Sequence, residues 1–154
     1  MTSLQSKLNN NLQSSLYDLD YVRWIENTVE KLRNQNYTHV DWENLIEEVA
    51  DMGKSERRSL KSNAIVLLVH LLKWQFQPLK RTGSWERSII EHRRRIGESL
   101  QDSPSLKPYL AEIFMECYQE AVLQAKAETG LASESFPSQC PYELQQIMER
   151  GFLP

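Results

Sequence analysis

Glycine and proline are scarce in this chain, at five and six among 154 residues. A β-sandwich or barrel wants more turn punctuation than that, and no stretch reads as a Gly/Ser-rich linker. Long apolar runs are missing as well. The longest, Ala64 to Val69, resumes only at Leu71 and Leu72 beyond His70, against the roughly 20 residues a membrane-spanning helix needs. Cysteine is limited to Cys117 and Cys140. With no signal-peptide core near the N-terminus, two free thiols in a cytoplasmic protein are expected rather than a disulfide. The catalytic motifs that a short scan can find are absent: no HExxH, paired CxxC, P-loop, GxSxG or GxGxxG occurs. Nor are there the two Glu-x-x-His pairs of a di-metal bundle.

What is present is a globular composition, 40% apolar and 25% charged, whose apolar residues recur at helical spacing. Residues 1–16 are polar and expected to be loose; 17–154 form one helical domain. A first helix opens at Asp18, carries Tyr21, Ile25, Thr28, Val29 and Leu32, and fades near Asn34. A second opens at Asp41 with Trp42, Leu45, Ile46 and Val49 on one side, and Gly53 reads as its left-handed C-terminal residue. The third, about 55–77, ends before Pro78 and is apolar nearly all round from Ala64 to Phe76, the mark of a buried central helix. A fourth begins at Ser84 with Trp85, Ile89, Ile96 and Leu100. A long fifth spans about 105–129 and ends at Gly130, and a short last one runs from Pro141 to Gly151. The fold class is all-α, a compact bundle of five to six helices around the third. Each of Trp24, Trp42, Trp74 and Trp85 falls on a separate helix at an interior or boundary position, as core packing requires.

The net charge of −3 hides a strong segregation. Residues 1–53 carry 4 basic and 9 acidic side chains, 54–95 carry 11 and 3, and 96–154 carry 3 and 9. Flanking acids packed on a basic middle would explain this. The alternative is a basic face of Lys54, Arg57, Arg58, Lys61, Lys80, Arg81, Arg87 and Arg94 for nucleic acid or an acidic partner. A pI near 5.7 and the absence of any nucleic-acid motif weigh against nucleic acid.

A polar stripe on the third helix is the second signal. At about 100° per residue, Glu56, Ser59, Asn63, His70, Lys73 and Gln77 share one side of an otherwise apolar cylinder. Glu47, Glu48 and Asp51 on the second helix and Glu91 on the fourth are acids available to them. Arg93 falls inside the apolar stripe of the fourth helix, an odd place for a charge unless it is paired. A register-fixing network explains the cluster Glu47, Glu48, Asp51, His70, Lys73, Gln77, Arg81 and Arg93 structurally. As a site, it would use His70 as base or ligand, the acids as acids or divalent-metal ligands, and Lys73, Arg81 or Arg93 as an anion clamp.

Several strings resemble a known family: Tyr17-Asp18-Leu19-Asp20 with Trp24; Glu47-Glu48-x-x-x-Met52-Gly53; and His70-Leu71-Leu72-Lys73-Trp74-Gln75-x-Gln77-Pro78-x-x-Arg81-x-x-Ser84-Trp85. Pro104-Ser105-Leu106, Glu128-Thr129-Gly130-Leu131, Phe136-Pro137-x-x-Cys140-Pro141 and Phe152-Leu153-Pro154 extend the match over about 17–154. The chain is similar to domain-of-unknown-function family twenty-nine, common in cyanobacteria and found in other bacteria. The resemblance implies a small all-helical protein and no particular activity. Members commonly carry a third acid where Ala50 stands here, so a site that needs that acid is missing it. The function expected is non-enzymatic binding of a macromolecule, a protein partner, in a regulatory or accessory role, with no cofactor and no membrane contact. The alternatives are a metal-dependent hydrolase or nuclease at His70, Glu47 and Glu48, and nucleic-acid binding through 54–95.

Overall fold

The computed structural model describes residues 15–154. The loose segment expected at the N-terminus therefore lies, for residues 1–14, outside the described part. Among the described residues there are six α-helices and no strand: α1 (Leu16–Leu19), α2 (Tyr21–Arg33), α3 (Trp42–Phe76), α4 (Gly83–Asp102), α5 (Leu106–Thr129) and α6 (Leu144–Met148). Single 3-10 turns lie at Tyr37–His39, Pro78–Lys80 and Ser133–Ser135. The all-α reading stands, and no described helix is long and apolar enough to cross a membrane.

The largest correction concerns Gly53. The second and third helices read from the sequence are one 35-residue helix, α3, and Gly53 lies inside it. The left-handed glycines are Gly130 and Gly151, at φ 72° and 86°. A glycine can stop a helix but does not have to, because its cost in a helix interior is only about 1 kcal/mol. Helix α4 starts one residue early, with the Thr82 hydroxyl accepting from the Trp85 amide. Asp20, not Asp18, caps α2, accepting from the Arg23 amide at 3.0 Å. Helix α2 closes with Gln35 at φ 56°, where the Asn36 amide reaches back to the Lys31 carbonyl at 2.8 Å. The last helix starts at Leu144 rather than Pro141, with the Glu143 amide donating to the Gln146 side chain at 3.1 Å.

The chain divides into two compact units, the first ending at Met52 and the second starting at Gly53. In the second, Leu60, Ala64, Leu67, Leu68, Leu71 and Leu72 of α3 are fully buried at spacings of three and four. Ile89 and Ile96 of α4, Leu110, Cys117 and Tyr118 of α5, and Ile147 of α6 complete that core. Each large side chain there contributes roughly 1.5–3 kcal/mol through burial. Ala121 and Ala125 are also buried, giving α5 a small-residue stretch on its core side. The Tyr118 hydroxyl, kept uncharged by burial with its pKa pushed up to about 12, donates to the Pro137 carbonyl at 2.5 Å.

The first unit is built differently. Among its described residues, the buried ones are Trp24, Thr28 and Val40. Around Trp24 the rings of Tyr17 and Tyr21 pack at centroid distances of 4.9 and 5.9 Å. Asp41 begins α3 by accepting from the Asn44 amide and side chain, and it also takes the Trp24 indole N–H at 3.2 Å. Those hydrogen bonds, the Asn44 side chain's first, hold the Asp41 carboxyl below its usual pKa.

Candidate functional site

Three groups of residues carry the chemistry of this chain. The first is on the first unit. Both oxygens of Glu48 are taken, one by the Tyr17 hydroxyl at 2.5 Å and the other by the Tyr21 hydroxyl at 2.8 Å. That hydrogen bond from Tyr17 raises its pKa to about 12, so Glu48 is engaged as an acceptor. Around it lie apolar side chains with no cover among the described residues. Sixteen large hydrophobic residues are exposed among the described residues, and eleven of them fall within 16–52. Val22, Ile25 and Val29 recur on α2; Trp42, Ile46 and Val49 recur on α3, with Val22, Ile46 and Val49 58–64% exposed. Trp42, expected at an interior or boundary position, is 47% exposed and spends its indole N–H on the Tyr37 carbonyl at 3.0 Å. Core packing accounts for Trp42 only at a boundary: no described residue of the first unit covers that ring fully. The same segment, 15–52, holds nine acidic and three basic side chains.

The second group is the polar stripe of α3. His70 Nδ1 lies 2.8 Å from the Val66 carbonyl, which can only accept, so Nδ1 carries the proton. Ser88 Oγ is 3.4 Å from that same nitrogen, which is thus not a base for the serine. His92 Nδ1 donates to Asn63 Oδ1 at 2.8 Å, and Asn63 in turn donates to the Ser59 carbonyl at 2.8 Å. Burial first, then Arg95 and His70, push the His92 pKa below its ordinary value. Lys73 finds its acid on α5, where its ammonium meets Glu128 at 2.7 Å while lying 4.6 Å from the Trp85 ring centroid. Arg81 donates to the Trp74 carbonyl at 2.9 Å and sits over the Trp74 ring. Gln77 is half-buried at the end of the stripe. Glu91 serves Arg94 and Arg95, which hold it down to about 2. Glu47 and Asp51 are exposed on the first unit's part of α3. Among the described residues no three His, Cys, Asp or Glu side chains gather to hold a metal ion.

The basic face is partly spoken for. Lys61 pairs with Glu116, Arg57 lies 5.2 Å from the Tyr109 ring centroid, and Arg94 is bound by Glu91 and Glu98. Lys54, Arg58, Lys80 and Arg87 are exposed.

The third group centres on Arg93, the charge that the sequence placed in an apolar stripe. It is 8% exposed. Its Nε donates to the Ile147 carbonyl and its Nη2 to the Phe152 carbonyl, both at 2.7 Å. Burial lowers its pKa from the usual arginine value. The sequence marked the residue but held no sign of its partners, because main-chain carbonyls have no residue signature.

A family model described as "Domain of unknown function DUF29" matches residues 16–153. No curated protein and no solved structure matches the chain.

Proposed function

The chain belongs to the DUF29 family of domains of unknown function, and from that premise we propose that it is a non-enzymatic binding module. Its partner is a protein that presents a basic, apolar-faced helix or segment to residues 16–52, in a regulatory or accessory role. One observation carries this reading: among the described residues the exposed apolar side chains concentrate on the first unit, where few apolar side chains are buried. Contiguous exposed apolar surface on a folded protein marks an interaction site. The choice of a basic partner rests on charge, since nine acids against three bases surround those side chains and complementary sign steers association.

Ile46 and Val49 are each more than half exposed, so covering both contributes roughly 2–3 kcal/mol. Titration with amphipathic model peptides tests this, one built from Leu and Lys and one from Leu and Glu, read by the fluorescence of the exposed Trp42. The Leu/Lys peptide should bind and shift that emission to the blue, and the double variant Ile46→Ser, Val49→Ser should weaken it about 30- to 100-fold. Equal binding of both peptides, or binding unaffected by the double variant, would overturn the reading. A concentration-dependent dimer in sedimentation would do the same, because the surface would then belong to a second copy of the chain.

A further inference from the structure

A cavity of about 590 Å³ opens beside Arg93, within the second unit. That volume lies in the ordinary range of small-molecule sites. Its apolar walls come from Ile89, Ile90, Met148 and Leu153, of which Ile90 and Leu153 are exposed. Its charges are unequal: Arg93, Arg94 and Arg150 line it against one acid, Glu86. Arg94 is already neutralised by Glu91 and Glu98.

Arg93 is the unusual member. A guanidinium stays protonated in proteins, and a buried charge ordinarily sits with an opposite one. Arg93 forms no ion pair with a carboxylate among the described residues. Its Nε and Nη2 rest on carbonyl dipoles, which satisfy the hydrogen bonds but carry no full negative charge. No fully buried polar side-chain atom among the described residues lacks a partner. Nη1, which takes no acceptor among the described residues, is therefore not fully buried, and Arg93 lines the cavity.

Gly97 belongs to the same wall. It lies in the interior of α4 and lines the cavity, and a Cβ added there would meet nothing within 4 Å. Glycine is among the poorest helix formers, and packing does not require it here. A side chain at 97 would, however, occupy the cavity.

We propose that this cavity binds a small amphipathic anion, a carboxylate carried on an alkyl or aryl body. The carboxylate takes the free Nη1 edge of Arg93 together with Arg150, and the body lies on Ile89, Ile90, Met148 and Leu153. The two carbonyls fix the guanidinium in place, so the head group meets a donor that needs little reorganisation.

Octanoate is the probe, titrated by calorimetry into the full chain, with 1-octanol as its neutral counterpart and acetate as the head group alone. Octanoate should saturate one site and bind about tenfold or more tightly than either control, a gap of the size expected for one charge-assisted contact. Arg150→Ala should weaken octanoate severalfold. Gly97→Leu should abolish the binding while leaving the melting temperature no lower than that of the wild type. Neither variant touches the Arg93 carbonyl contacts, so both keep the test alive if Arg93 variants fold poorly. Octanol binding as tightly as octanoate would overturn the proposal, as would acetate doing so. Absence of saturable octanoate binding to the folded wild type, or full binding by Gly97→Leu, would overturn it as well.

Discussion

Replacing Arg93 with methionine isolates what the buried guanidinium does for the fold. Methionine keeps an unbranched apolar stem of similar reach but cannot donate to the carbonyls of Ile147 and Phe152. A hydrogen bond from a charged donor contributes roughly 1.5–3 kcal/mol, so the two together are worth about 3–6 kcal/mol. Two effects reduce the loss. The variant no longer buries a charge without a counter-ion, a burden of several kcal/mol in order of magnitude. The residues after Met148 are mostly exposed or half-exposed, so water reaches the abandoned carbonyls once the turn loosens. The expected net loss is about 2 kcal/mol, which for a chain of this length lowers Tm by roughly 4–8 °C. The loss should be local, since Arg93 ties α4 to α6 and the turn after it. Hydrogen exchange at the amides of Ile147, Glu149 and Phe152, which close that turn, should accelerate about 30-fold. Arg93→Lys, a single-point donor able to reach one carbonyl, should recover about half. An Arg93→Met protein with the melting temperature of the wild type and unchanged exchange at those amides would refute the clamp.

Three further outcomes follow from the same packing. Lys73→Met should cost about 1–2 kcal/mol in chemical denaturation, from the loss of a half-exposed ion pair and a ring contact, with Glu128→Gln costing less; a neutral Lys73→Met would mean that Glu128 and Trp85 do not hold the ammonium. His92 has a pKa below the ordinary 6.5 when folded, so below that value the unfolded chain takes a proton that the folded one resists. Stability from this group is thus present above about pH 6.5 and lost as the pH falls toward the folded pKa; thermal melts should show a shallower acid-side decline in His92→Gln, and an identical decline would exclude His92 as its source. Burial pushes the Cys117 thiol up to about 11 and also raises that of Cys140. A thiol reagent at neutral pH should therefore modify the partly accessible Cys140 slowly and Cys117 only on unfolding, whereas rapid native labelling of both would contradict the burial of α5.

The parts of the fold that the sequence made legible are those fixed by local chemistry. Gly130 marks the end of α5 because only a left-handed residue lets the chain leave the helix there. Asp41 begins α3 because its carboxylate can meet the Asn44 amide. The buried run of α3 was legible because apolar residues surround the helix from Ala64 to Leu72. Gly53 misled because nothing local distinguishes a glycine that ends a helix from one that lies within it. The candidate cluster was legible only in part. Lys73 needed an acid, but the acid that meets it, Glu128, is 55 residues away on α5, and the nearer acids offered no contrary signal. His70 invited a catalytic reading; the Val66 carbonyl fixes its proton on Nδ1 and leaves Nε2 as the ring's acceptor, a tautomer no residue spacing could have shown.

Periodicity has a deeper limit, visible by comparing two stripes. Val22, Ile25 and Val29 on α2 repeat at helical spacing as regularly as Leu60, Ala64, Leu67 and Leu71 on α3. The second set is buried and the first exposed. An amphipathic pattern reports that a helix has an apolar side; it does not report what covers that side. Composition supplies the missing clue. The buried stripe is leucine-rich and flanked by further apolar residues, and the chain covers it within its own core. The exposed one is narrower, its residues β-branched and interleaved with Arg23, Glu26 and Glu30, so water can wet its edges while its centre stays available. A narrow apolar stripe with charged margins has the composition of an apolar patch with a polar rim. That distinction, rather than hydrophobicity itself, separates the core of the second unit from the face of the first.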